Sequence, residues 1–328
     1  MDLFVSNNVL QIFKKEIEND MSQSFLFYGE KGLGVFYAAK VFARSLVCEN
    51  KVLGCCEKCY FCKESVKNCY DEIIVLEKEA NEDSIKVEGV RKIYKKLYYK
   101  PQYGRKKVLI IKDADKLTED AQAALLKIIE EPKKDLIIIL VTSKKEDLLD
   151  TILSRVTCVN FFKPSKKETI KFLEKRSLKD KEIVLFFVEY FNNMVADCVK
   201  YLENDELFKI EKNNILEFIK LYKSSFYEAS LYIKKISDKE SDGDITSKDY
   251  LRNLVGSWIR FLEFNLKVEL GFIESDFLIK NNLKLDISLK EKIGLLSGLK
   301  NTYESLENMY LNKRLLFEVL FLGRMFKI

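Results

Sequence analysis

"FLFYGEKGLGVFYAAKVFARSLVCEN", residues 25–50, runs from a short apolar stretch through a glycine turn into a segment with helical patterning. A strand, a glycine turn and a helix N-terminus together form the setting in which backbone N–H groups cradle phosphate. A working phosphate loop then sets a lysine on the terminal phosphates and a hydroxyl on Mg²⁺. Val35 and Phe36 follow Gly34 here and supply neither, while Lys31 precedes Gly32. The stretch therefore reads as a turn whose glycines, Gly29, Gly32 and Gly34, serve backbone geometry, with productive ATP binding as the alternative.

Similar apolar runs recur at residues 72–76, 107–111, 136–142 and 157–162, continuous rather than alternating. Such runs separated by helical patterns predict a five-stranded parallel sheet with helices on both faces. In "KVLIIKDADKLTEDAQAALLKIIEEP", residues 107–132, Lys112 stands where a Mg²⁺-binding Asp would follow the strand, and Asp113 where a catalytic Glu would sit. The helix behind it has Thr118 as its cap and Ala121, Ala124, Leu125, Ile128 and Ile129 on one face, and Pro132 ends it. "SKKE", residues 165–168, has capping-box spacing and opens a region that reads as helices to the end of the chain. A polar stretch at residues 237–249 reads as a loop there.

The 328 residues exceed one ordinary domain, and 47% hydrophobic content supports a folded chain. A net charge of +5 is too mild to argue for nucleic acid by itself. No apolar run reaches spanning length, and the first residues are amphipathic rather than a secretory signal, so a cytoplasmic, membrane-free protein is expected. Histidine is absent, which excludes every mechanism that needs an imidazole.

Six of the eight cysteines fall within residues 48–69, which in a reducing compartment favours a metal over disulfides. Cys48, Cys56, Cys59 and Cys62 give Cys-x7-Cys-x2-Cys-x2-Cys, a pattern that fits a tetrahedral, closed and therefore structural Zn²⁺ site. Cys55 competes with Cys56 for the second place, and Cys69 is more distant. An iron-sulfur cluster and a metal-free set of buried thiols remain the other readings.

"GEKGLG", the cysteine cluster, "ALLKIIEEP" and "TILSRV" (residues 151–156) occur in the order found in bacterial clamp-loader subunits of the AAA+ class, and the chain resembles that family over residues 1–163. "LNKRLLFEVL", residues 311–320, resembles its closing collar helix. The resemblance implies an α/β AAA+ core at 1–163 with a zinc module at 48–69, a small helical lid at 164–207 and an all-α collar at 208–328. Replacement at both nucleotide positions resembles the non-hydrolysing branch of the family. The implied function is assistance in ATP-driven loading of a sliding clamp onto primed DNA, with tau/gamma motor subunits and a delta subunit as partners and no productive ATP binding. Arg155, with Ser154 before it, matches the family's Ser-Arg-Cys motif, whose arginine reaches a neighbour's γ-phosphate; Val156 departs from the motif's cysteine.

Two other functions stay open: an active P-loop ATPase of the tau/gamma type, and a zinc-dependent nucleic-acid-binding protein. For the latter, Tyr98, Tyr99 and Tyr103 could stack on bases while Lys95, Lys96, Lys100, Arg105 and Lys106 meet phosphates. Against it, Val90, Ile93, Tyr94 and Leu97 predict the buried stripe of a helix.

Overall fold

The computed structural model describes residues 3–19, 23–64, 72–79, 82–97, 106–131, 135–177, 179–238, 246–275, 277–281, 283, 285–306 and 312–322. They fall into two compact units, Met1–Ser165 with Met194–Ala196, and Lys166–Asn193 with Asp197–Ile328.

The first unit is built on β1 (Ser24–Tyr28), β2 (Ile73–Leu76), β3 (Lys107–Ile111), β4 (Leu136–Thr142) and β5 (Thr157–Asn160). They form one sheet in the order β2-β3-β4-β1-β5, with every neighbouring pair parallel. Each predicted run thus becomes a strand, and the central ones are continuous in sequence because both faces are covered: every residue of β3 and β4 is buried. Successive side chains enter opposite layers. Phe25, Phe27, Val108 and Ile110 pack with α1 (Asn7–Asn19) and α2 (Val35–Val47). Leu26, Leu109, Ile111 and Leu140 pack on the other face, under α4 (Val87–Leu97) and α5 (Glu119–Glu130). Phe13 of α1 stacks on Phe42 of α2 with ring centroids 4.3 Å apart, tying two helices of the first layer together. The short helices α3 (Tyr60–Glu64) and α6 (Asp150–Leu153) complete this unit.

Thr118 caps α5 as expected, its side-chain oxygen accepting from the Ala121 amide at 3.3 Å. On α4 the stripe is narrower than predicted. Val90 and Leu97 are buried and Ile93 packs partly buried on the same cluster, but Tyr94 is 46% exposed, since α4 packs on α5 and the edge strand β2 through its other face.

The second unit is helical: α7 (Lys166–Arg176), α8 (Lys181–Tyr190), α9 (Val195–Glu203), α10 (Asp205–Lys223), α11 (Phe226–Asp238), α12 (Thr246–Glu269), α13 (Phe277–Lys280), α14 (Leu289–Ser305) and α15 (Lys313–Leu322). The first two residues of α9 belong to the first unit. The polar stretch at 237–249 is not all loop: α11 continues through Asp238 and α12 begins at Thr246, leaving 239–245 outside the described residues. Fully buried Trp258, Phe218, Phe261, Phe317 and Phe321 form the centre of this unit, and the indole N–H of Trp258 donates to the Asn214 carbonyl at 2.9 Å. A polar knot lies beside it. The carboxylate of buried Glu211 accepts from the Tyr190 hydroxyl at 2.6 Å, the Ser257 hydroxyl at 2.8 Å and the Arg260 guanidinium at 2.8 Å.

Candidate metal centre, glycine cradle and exposed arginine

Helix α2 ends at Cys48, whose amide still donates to the Arg44 carbonyl, and the chain then folds back under the helix. The return is pinned by Ser45: its hydroxyl donates to the Val41 carbonyl and accepts from the Gly54 amide at 2.6 Å. Gly54 can serve because it holds φ +90°, open to residues without a Cβ. Cys56 and Cys59 then make a tight amide-to-sulfur turn, with the Cys59 amide donating to Cys56 Sγ at 3.3 Å and the Cys62 amide to Cys59 Sγ at 3.4 Å.

The result brings Cys48, Cys56, Cys59 and Cys62 together, with their sulfurs all within 4.8 Å of one another. Four sulfurs about 2.3 Å from a tetrahedral ion would stand about 3.8 Å apart. The Cys56–Cys62 separation is 3.7 Å, so the donor set suits a metal ion. Amides of Cys59 and Lys58 and the Asn50 side chain pull the Cys56 thiol down to about 5. Burial pushes the Cys48 and Cys62 thiols up, and a hydrogen bond with the Cys55 thiol adds to the rise at Cys62. Cys69 lies outside the described residues.

The glycine turn has two left-handed residues, Gly32 at φ +89° and Gly34 at φ +83°. Gly29 is constrained differently: a Cβ there would lie 2.7 Å from the Phe161 carbonyl oxygen, so the exits of β1 and β5 can approach only around a glycine. The Ala196 amide donates to the Gly32 carbonyl at 2.9 Å, and its methyl group faces Gly34. Nothing in the sequence pattern pointed to Ala196.

Phe36 occupies the second position of α2, and its ring is flanked by two ammonium groups, Lys40 at 4.6 Å and Lys112 at 5.4 Å from the centroid. Lys112 also pairs with Glu77 at 2.8 Å. Asp113 is left-handed, at φ +52°. The acidic group nearest a fixed role is Asp115, which accepts from the Thr142 hydroxyl at 2.6 Å.

Arg155 follows α6 and folds back on its own unit. Its Nε lies 2.9 Å from Glu130, and its Nη1 donates to the Thr151 carbonyl and to Ser154 Oγ. Both members of the ion pair are exposed, at 41% and 46%, so the pair orients the guanidinium while contributing about 0–1 kcal/mol. Sequence reasoning missed Gln122. Its buried amide donates to the Asp147 carbonyl at 3.2 Å and accepts from the Leu149 amide at 2.8 Å, fixing the segment that leads into α6 and Arg155. A polar residue within an apolar helix face was the available signal.

In the basic stretch Lys95 and Lys96 are exposed on α4, whereas Lys106 is not. Lys106 is only 4% exposed at its side chain and pairs with Asp135 at 3.5 Å, because it leads directly into a buried strand. Tyr98, Tyr99, Lys100, Tyr103 and Arg105 lie outside the described residues.

A parallel sheet in this order, a glycine turn opening α2 and a helical second unit define an AAA+ core with a helical C-terminal region. Residues 5–165 match the family described as DNA polymerase III, delta subunit. The delta′ subunit of DNA polymerase III from Bacillus subtilis (strain 168) is 31% identical over 202 residues, covering 60% of this chain and 59% of that protein. The delta′ subunit from Buchnera aphidicola subsp. Acyrthosiphon pisum is 26% identical over 84% of this chain and 79% of its own length. A gamma subunit from Buchnera aphidicola subsp. Schizaphis graminum is 31% identical, over 61% and 57% respectively. Across 96% of this chain and 97% of the other, the crystal structure of a DNA polymerase III gamma subunit-related protein from Thermotoga maritima has the same fold, with a TM-score of 0.50 and 20% identity. Over residues 5–165 the chain is similar to the clamp-loader subunits of DNA polymerase III, and it spans about three fifths of the length of the Bacillus subtilis relative.

Proposed function

We propose that the chain is a delta′-type clamp-loader subunit that hydrolyses no ATP itself and presents Arg155 to the nucleotide of a neighbouring tau/gamma motor subunit. The observation that carries this reading is the contact between Phe36 and Lys112. A Mg²⁺ site would need a hydroxyl and a carboxylate at these two places; an aromatic ring and an ammonium attract each other instead and offer the metal no oxygen. Val35 leaves the phosphates without a lysine. The glycines are retained for the packing of Gly29 on Phe161 and the left-handed turn at Gly34, which the fold needs with or without nucleotide.

Within the loader, delta and tau/gamma subunits are the partners, and the sliding clamp and primed DNA are met through the complex. The guanidinium of Arg155 is planar and exposed, suited to bidentate contact with a phosphate across an interface. Cys48, Cys56, Cys59 and Cys62 would hold Zn²⁺ with no open coordination position, so the ion fastens the loop behind α2 and takes no part in hydrolysis. Reduced thiols and the family's role agree with a cytoplasmic location.

The test is in trans. In a loader reconstituted with Arg155→Ala, assembly should persist while ATP turnover falls partially, because only the site facing this subunit loses its arginine. An arginine finger is worth about 10³–10⁵ in simpler GTPases, so single-site turnover should fall much further than the total. Unchanged turnover and clamp loading in an assembled complex would sink the finger assignment.

The gamma relatives favour a second reading, an active ATPase of the tau/gamma type, because they match about as well as the delta′ ones. Magnesium-dependent hydrolysis by the purified chain would select it.

A further inference from the structure

We propose that Glu130 is a positioning residue for Arg155: its carboxylate parks the guanidinium by covering the side that a neighbour's phosphate takes in the assembled loader. This deepens the reading of Arg155 as a finger and rests on it.

An arginine carries five N–H donors and grips a phosphate bidentately through two of its nitrogens side by side. Here Nη1 donates to the Thr151 carbonyl at 3.0 Å and to Ser154 Oγ at 3.1 Å, which commits both of its hydrogens. Nε faces Glu130 Oε1 at 2.9 Å. Among the described residues Nη2 has no partner. Each bidentate edge that includes Nη2 is therefore half covered, one by the turn of Arg155 itself and the other by Glu130.

Only the Glu130 side clears easily. Thr151 belongs to α6 and Ser154 directly follows it, so opening the Nη1 side would undo the turn that carries the arginine. Arg155 and Glu130 are 41% and 46% exposed, and they part by side-chain rotation alone. A phosphate brings more charge and two oxygens, so it displaces the carboxylate from Nε and engages Nη2 in the same step.

Helix α5 itself gains nothing from an acid here. Glu130 is its last residue, where the macrodipole favours a cation. Arg155 is the partner that Glu130 has among the described residues. An exposed ion pair of this kind favours the closed form by up to about fivefold, and parking lowers apparent affinity by the fraction of chains left open.

The experiment uses a reconstituted loader in which the motor sites not facing this subunit are inactivated, so that turnover against ATP concentration reports one site. Glu130→Gln should lower KM for ATP by up to about fivefold and leave kcat unchanged, because saturating ATP already displaces the carboxylate. In the Arg155→Ala background the same substitution should change neither constant. A KM that stays put or rises in the assembled Glu130→Gln loader overturns the proposal, as does an equal KM change with Arg155→Ala present. A second measurement needs no assembly: in the isolated full-length chain, the Nε–H resonance that Arg155→Ala removes should exchange with water faster in Glu130→Gln, and an unchanged rate overturns the parking contact. If Arg155→Ala alone leaves turnover intact, the finger reading itself falls, an outcome distinct from a failure confined to Glu130→Gln.

Discussion

The ammonium of Lys112, at the end of β3, stands 5.4 Å from the centre of the Phe36 ring in the first turn of α2. These two elements carry the metal-binding groups when such a fold binds Mg-nucleotide. Here the two side chains satisfy each other, and Glu77 holds the ammonium from its other side.

Mg-ATP should therefore leave the thermal stability of the isolated chain unchanged. A functional site at a ligand concentration of 100 Kd would add about 2.7 kcal/mol, a shift of a few degrees in Tm. Differential scanning calorimetry with and without millimolar Mg-ATP makes the comparison, and an increase of that size contradicts the proposed loss of nucleotide binding.

Gly29→Ala should destabilise the first unit by about 1–3 kcal/mol, because the new methyl group meets a backbone carbonyl that cannot rotate away. Gly34→Ala should cost about 1–2 kcal/mol through its left-handed φ instead. Urea midpoints would measure both. If neither variant moves the midpoint, the glycines are not kept for the fold.

Gln122→Leu should cost about 2–3 kcal/mol, since it leaves the Leu149 amide and the Asp147 carbonyl without their partner inside the protein. The local sign is faster hydrogen exchange at Leu149. An unchanged exchange rate there would mean that the segment before Arg155 is held by something else.

The second unit should lose stability in alkali. Burial, reinforced by the Glu211 carboxylate, raises Tyr190 well above the ordinary phenol range and pushes Tyr201 up to about 12. Native chains then keep phenolic protons that unfolded chains release near pH 10. Stability should be fully present below that pH and decline from about 10 to 12 and beyond as the native state holds the extra protons. Denaturant midpoints over this range, with tyrosinate absorbance as the titration signal, test the sign. Tyr190→Phe should flatten part of the decline, and an identical slope would remove Tyr190 from the account.

Much of the first unit is legible in the residues. Continuous apolar runs become parallel strands because both faces of the sheet are covered, and Thr118 caps α5 because a hydroxyl before a helical stripe meets an orphan amide. The cysteine spacing likewise points to Cys48, Cys59 and Cys62 and favours Cys56 over Cys55 for the remaining place, and these four thiols converge. Local patterning was a weaker guide where one side chain's environment depends on a distant segment. Tyr94 lies on the apparent stripe of α4 yet is exposed, and Lys106 belongs to a basic run yet is buried against Asp135.

The sequence by itself determined the strand runs, the missing lysine and carboxylate, and a set of cysteines able to close on one ion, because these follow from residue type and short-range periodicity. Only the tertiary structure decided that Phe36 meets Lys112, that Gln122 fastens Leu149 and that Arg155 leans on Glu130. It also decided that Cys56 rather than Cys55 completes the sulfur cluster. The first three contacts join separate elements brought together by the order of a parallel sheet and its crossovers, whereas the choice between neighbouring cysteines depends on which way a bent backbone turns each sulfur; neither is encoded in local pattern.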